Sequence, residues 1–303
     1  MPNAQENVDT KNTAQQFISA PTCYRLLSLM RLPGKKGQGI YNEAVLYHER
    51  ESLRVCWAST SVDSRLRRGD LVTVKARSHE GPRPDILPVV RIVRIDHAVA
   101  TVNQFEMVPT SWLNDPSVAL RAKALWGQME RPLQHLLNAV LWDGARFYRY
   151  VTGPVSSADY PAPPGGNFRR AVALAEEALS LADGLPSVAR GVLIAAALLH
   201  TAGKADDFRL AADGTGFKLS ERGVWIGYQQ TILEWLAIAR TQVIIPDACY
   251  YHLVHVLIAL RRPLGASRLI ETAVLNAARH FVDSPENLWQ TDGLIPFAQE
   301  AGR

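Results

Sequence analysis

The apolar residues of this chain change their spacing near Pro109, and that change bounds the folds open to it. Before it, apolar and polar residues alternate in short runs. After it, apolar residues return every three or four positions. A period of two belongs to a strand with unlike faces, and a period near 3.6 to a helix with one buried stripe. A sheet-forming region therefore precedes a helical one, and each has an apolar face to cover. With 303 residues, 47% of them apolar, the chain holds enough material for two units of ordinary size.

Residues 22–97 read as five short strands: TCYRLLSLMR, IYNEAVLYHE, SLRVCWAS, LVTVKARS and LPVVRIVRID. The turn-rich PGKKGQG separates the first two, and the polar Arg50-Glu51 step separates the next two. SVDSRLRRGD reads as a short helical or turn link. SHEGPRPDI carries two prolines that a central strand would not tolerate. Five strands with a break between the third and fourth fit an OB-type barrel, with an SH3-like barrel or a plain meander as competing readings. The helical stretches that follow include SVALRAKALWGQMERPLQHLLNAVLW, NFRRAVALAEEALSLA, SVARGVLIAAALLHTA, ERGVWIGYQQTILEWLAIA, ACYYHLVHVLIALRR and SRLIETAVLNAARHFVD. They predict an all-α region, interrupted by the irregular YVTGPVSSADYPAPPGG. The expected class is α+β multidomain.

Charge is uneven. Residues 1–110 hold 15 Lys+Arg against 11 Asp+Glu, and the rest of the chain holds 18 of each. A mildly basic barrel suits a polyanionic partner as well as it suits a merely solubilising surface. Cys23, Cys56 and Cys249 are scattered and odd in number. That argues against a disulfide framework or a structural zinc site and suits a reducing cytoplasm. The polar first 20 residues read as a disordered arm, and no apolar run is long enough to span a bilayer, so no membrane partner is expected.

Several pieces, in order, resemble a known family. The Trp57 strand, Arg68-Gly69-Asp70 with the alternating strand after it, and VVRIVRI resemble the OB domain of the YhaM-type 3′→5′ exoribonucleases. LLNAVLWDGARFYRY, PAPPGGNFRRAVALAEEAL, IAAALLHTAGK, HVLIALRRP and ETAVLNAARHFVD resemble the HD-type phosphohydrolase domain that follows it there, a module also found in some mobile-element relaxases. The resemblance covers roughly residues 22–285. It implies a five-stranded OB-like barrel over 21–108, connecting helices and loop over 109–164, and an HD-like helical domain over 165–285. The arm over 1–20 and a tail over 286–303 flank them, the tail docking on its own domain or on a partner.

An HD site works through two divalent metals that polarise a phosphodiester and lower the pKa of a bridging water. Hard metals such as Mn or Mg want carboxylate oxygens, to which imidazoles add nitrogen. The resemblance places Arg169-Arg170 where the first His belongs and Thr201 where the Asp of the His-Asp doublet belongs. It places Val224 and Trp225 at the next His, and Arg261-Arg262 at a His pair. Asp283 and, more weakly, Glu271 are candidates for the final acid. His200 remains as the secure ligand type, so a degenerate site without metal or other cofactor is expected. Arg169, Arg170, Lys204, Arg261 and Arg262 would then form a phosphate pocket, because a guanidinium fork holds phosphate but cannot activate water. These arginines also suit helix ends facing solvent. His252 and His255, three apart among Tyr250, Tyr251, Leu253 and Val254, read as packing or surface residues.

In the barrel, Lys35 and Lys36 in a Gly-rich loop, with Arg54, Trp57 and Arg77, are the expected nucleic-acid contacts, and Tyr41 and Tyr47 offer further stacking faces. Trp57, in phase with Val55, suits the barrel core as well. The function expected is binding of single-stranded RNA or DNA, as an accessory in a nucleic-acid-processing or mobile-element complex. The first alternative is a divergent metal-dependent exonuclease using His200, Asp206 or Asp207, and Asp283 with Mn or Mg. The second is a protein-interaction scaffold that docks a partner through the helical domain or the tail.

Overall fold

The computed structural model describes residues 23–33, 39–49, 51–76, 85–156, 165–210, 216–260 and 269–283. The strands are β1 (Tyr24–Pro33), β2 (Ile40–His48), β3 (Glu51–Ser59), β4 (Leu71–Ala76) and β5 (Leu87–Arg94). They close a barrel in the order β1-β2-β3-β5-β4. β3 and β5 run parallel through Val55↔Leu87 and Cys56↔Pro88, and the other pairings are antiparallel. This is an OB-like barrel. A register break between Leu26 and Ser28 bends β1, and the barrel closes where Tyr24 meets Val72 and Arg25 meets Leu71. Alternation puts Leu26, Leu46, Val55, Trp57, Val72, Val89 and Ile92 inside. The link from β3 to β4 is a series of turns without a helix.

3₁₀ turns at Gln104–Met107 and Thr110–Trp112 lead into the helices. These are α1 (Ser117–Gly127), α2 (Arg131–Leu141), α3 (Gly144–Thr152), α4 (Gly166–Leu181), α5 (Arg190–Leu199), α6 (Lys204–Asp207), α7 (Glu221–Trp225), α8 (Tyr228–Arg240), α9 (Asp247–Ala259) and α10 (Ile270–Val282). α5 is buried along its whole length from Gly191 to Leu199. A helix apolar on every side must lie at the centre, and α5 packs against α2, α4, α9 and α10. α1–α3, expected as connectors, share one continuous core with the later helices, from Phe105 to Ala278.

The helical region is not purely α. A hairpin of β6 (Phe208–Leu210) and β7 (Phe217–Leu219) follows α6, contrary to the all-α expectation. Each strand is three residues long, too short for a period of two to register. Three stretches read as continuous helix are also broken. Residues 128–130 separate α1 from α2. Trp142-Asp143 separates α2 from α3, with Asp143 capping Arg146 N–H at 2.7 Å. Gly227, at φ 78°, separates α7 from α8. Among the described residues no helix is long and apolar enough to cross a membrane.

Barrel and helices are joined at a buried seam. Arg25 of β1 has no exposed surface. Its Nε donates to Met107 O at 2.9 Å and its Nη1 to Gly69 O at 2.8 Å. The guanidinium lies 4.1 Å from the Phe147 ring centre and 5.7 Å from that of Trp112. Beside it, Gly69 and Gly144 bring two backbones together: a Cβ on Gly144 would stand 2.4 Å from the carbonyl carbon and oxygen of Gly69. At the β2–β3 turn, Lys123 of α1 pairs with Glu49 at 2.5 Å and with Glu106 at 3.0 Å.

Candidate nucleic-acid interface

A cavity of about 590 Å³ opens on the barrel. Its walls come from the end of β1, the start of β2, the end of β3, the β3–β4 link and the middle of β5. With no helix in the link, that end of the barrel stays open. Arg31, Arg65 and Arg91 line the groove, with Asp63 as its acid. Arg31 donates from Nη2 to Asp63 O at 3.0 Å, and Arg65 pairs with the Asp63 carboxylate at 3.1 Å. Arg91, exposed on β5, has no ion-pair partner among the described residues. Val62 and Val90 supply exposed apolar surface beside these cations. Asn42 is held in the wall by its bonds to Trp57 O at 3.4 Å and Ser59 Oγ at 2.9 Å.

The residues expected to contact nucleic acid fare unevenly. Lys35, Lys36 and Arg77 lie outside the described residues. Arg54 is on the outer face of β3, paired with Asp85 at 2.7 Å and 3.9 Å from Glu43, so most of its charge is met internally. Trp57 belongs to the barrel core and also forms part of the groove wall, which leaves it no free stacking face. Tyr47 is buried in a separate cavity of about 230 Å³ between barrel and helices. The groove arginines were missed, although Arg91 sits in outward phase in VVRIVRI and Arg65 opens the basic run RLRR.

In the helical region, the end of α5 gathers charge. His200 Nδ1 lies 2.7 Å from Ala197 O. A carbonyl oxygen only accepts, so Nδ1 carries the proton and Nε2 keeps a lone pair. Burial lowers the imidazole pKa. The Ala197 bond opposes that shift, and the nearby cations Arg170, Lys204 and Arg279 add to it, leaving a value of about 4. Arg170 of α4 holds both oxygens of Asp283, and Arg279 lies 3.9 Å from the same carboxylate. Lys204 Nζ donates to Val155 O and sits 5.3 Å from the Tyr228 ring centre. Arg279 was not anticipated. Arg169, the neighbour of Arg170, acts on Asp115 instead, together with the stronger effect of Ser117. Arg261 and Arg262 lie outside the described residues. Buried Asn167 donates to Thr201 O at 3.3 Å, while its Oδ1 and Thr201 Oγ have no hydrogen-bond partner among the described residues.

The acids named for catalysis are dispersed. Asp206 is paired with Arg149 at 2.5 Å. Asp207 is buried beneath α7, where desolvation raises its pKa against a bond from the Tyr228 backbone. Glu271 is 2% exposed and accepts from Ala189 N–H at the other end of α5. Ten residues of helix separate that end from His200, about 15 Å. Its Oε2 lies 3.2 Å from His252 Nε2. Among the described residues no three His, Cys, Asp or Glu side chains form a group able to hold a metal. Among the described residues, the charged groups that act on His200 are cations, and the carboxylate bound by two of them, Asp283, already serves both, a donor set that does not fit a dinuclear Mn or Mg centre.

The His200 environment has a measurable consequence. Its folded pKa lies below the ordinary 6.5, so the unfolded chain takes up the proton first. The stability tied to neutral His200 is present above pH 6.5 and is lost as pH falls toward about 4. The loss is at most about 3 kcal/mol, because part of the ring reaches solvent. Urea unfolding at pH 7 and pH 4.5 should show a smaller acid loss in His200→Gln than in the wild type. Equal losses in the two proteins would refute this assignment.

A comparison of the chain with protein-family models, with curated proteins and with solved structures gave no match.

Proposed function

We propose that this chain binds single-stranded nucleic acid, RNA or DNA, in the groove of its OB-like barrel. The observation that carries this is the groove itself: three arginines and one aspartate around an open, partly apolar cavity on a closed five-stranded barrel. Such barrels bind single strands by combining a cationic track with apolar and aromatic faces. The helical region is read as an HD-like module that binds and does not hydrolyse. Arg170, Lys204 and Arg279 lie near neutral His200, where a phosphate would displace Asp283 from the two arginines. Its place is that of an accessory in a nucleic-acid-processing or mobile-element complex.

Fluorescence anisotropy with labelled 15-nucleotide RNA and DNA strands tests the groove. Arg91→Ala, which removes an exposed cation without an internal bond, should weaken binding several-fold. It should also reduce the slope of log K against log salt by about 0.7 if it meets one phosphate. Unchanged affinity and slope in an Arg31→Ala/Arg65→Ala/Arg91→Ala variant that still folds would remove the groove from consideration. Bound Mn or Mg, with shortening of the strands that His200→Ala abolishes, would establish the exonuclease reading instead.

A further inference from the structure

α7 is built inside out. Its anchors are polar: Ser220 Oγ donates to Asp206 O at 2.7 Å and accepts from Gly223 N–H at 3.0 Å. Arg222 Nε donates to Thr231 Oγ at 3.2 Å, and its Nη2 pairs with Glu234. Gly223 lies so close that a Cβ there would stand 2.6 Å from Asp207 O. None of the five residues of α7 is buried. Its apolar end faces solvent instead, with Val224 62% and Trp225 78% exposed and Ile226 following at 40%. A rigidly held apolar triplet at the surface marks a contact site.

The hairpin leading into α7 supplies charge. Arg209 and Lys218 are directly opposite each other across β6 and β7. Both are exposed, and neither has an ion-pair partner among the described residues. Like charges at that spacing repel, and a two-stranded hairpin has little stability to spare. An anion shared between them removes the repulsion. α7 packs against β7, so an exposed indole on the helix and a cation pair on the adjoining hairpin fit a strand that stacks a base and presents a phosphate.

We propose that Trp225, with Arg209 and Lys218, forms a second contact for single-stranded nucleic acid, separate from the barrel groove. This rests on the nucleic-acid reading above. The probe is a labelled 15-nucleotide single strand titrated by anisotropy against the full chain. Trp225→Ala should weaken binding about ten-fold and Trp225→Phe much less, because one base–aromatic stack is lost in the first and kept in the second. Arg209→Ala/Lys218→Ala should reduce the salt slope by about 0.7–1.4. If Trp225→Ala binds as the wild type does while the groove variant fails, this second contact is overturned and the groove stands. If the wild type binds no strand at low salt, both readings fall. Self-association in sedimentation that Trp225→Ala abolishes, with strand affinity unchanged, would reassign the triplet to a protein contact.

Discussion

Arg25→Ala is expected to lower the unfolding free energy by about 2–5 kcal/mol, because two buried acceptors lose their donor at about 1–3 kcal/mol each. The substitution strands Met107 O and Gly69 O, which accept from the guanidinium, and empties the space beside Phe147 and Trp112. Arg25→Met is the informative companion. It refills the space against the rings but leaves both carbonyls unpaired, so it should recover part of the loss and not all of it. Urea unfolding followed by far-ultraviolet circular dichroism reads both. A change below about 1 kcal/mol for Arg25→Ala would mean that the seam relaxes or hydrates at little cost. Burial also lowers the Arg25 pKa to about 9, with Cys23 and Asp70 opposing the shift. The folded state therefore binds this proton less readily than the unfolded chain does, and stability from this group rises with pH above about 9. Cys23 works the other way. Burial pushes its thiol up to about 12, so stability from that group falls as pH rises past its ordinary 9.0. The two trends oppose each other over the same alkaline range.

Gly144→Val is expected to cost about 3 kcal/mol or more, at the upper end for overpacking. A Cβ at Gly144 runs into the Gly69–Asp70 peptide: the carbonyl carbon and oxygen of Gly69 at 2.4 Å and the amide nitrogen of Asp70 at 2.8 Å. No side chain can rotate away to make room, so the barrel turn must separate from the start of α3. Gly69 itself is at φ 94°, which hinders its own retreat. Gly127, where an added Cβ meets nothing within 4 Å, is the control: Gly127→Ala should be near neutral or slightly stabilising. The thermal midpoints of the two variants against the wild type decide the matter, and similar midpoints would sink the close-packing account.

How far the fold could be read in advance depended on how local its causes are. The five strands were legible because alternation and turn residues both lie within a few positions of each strand. The central helix was legible because its apolar run needs no partner to be recognised. Arg25 was not. Its place in YRLLSLMR suggests an ordinary outward cation, and its burial is caused by Trp112 and Phe147, far along the chain. The α2–α3 break was missed although Asp143-Gly144 supplies a cap residue and a glycine, because apolar residues at helical spacing run on across it. At the candidate sites, Arg170 and Lys204 do approach His200, whereas Arg169 looks elsewhere because its side chain leaves α4 at a different angle. Glu271 stands in the first turn of α10 and Asp283 caps its end, so the helix carries one to Ala189 before α5 and the other to Arg170 of α4.

The Arg25 seam also sets an order of events during synthesis. The acceptor at Met107 is 82 residues downstream. At translation rates of 5–20 residues per second, the first strand waits on the order of 10 s before that carbonyl exists. The rings of Trp112 and Phe147 arrive later still. Until then the guanidinium has Gly69 O as its acceptor within the barrel, and its remaining surface stays hydrated. The buried seat of Arg25 is therefore complete only once the first helical residues have emerged and docked against the barrel.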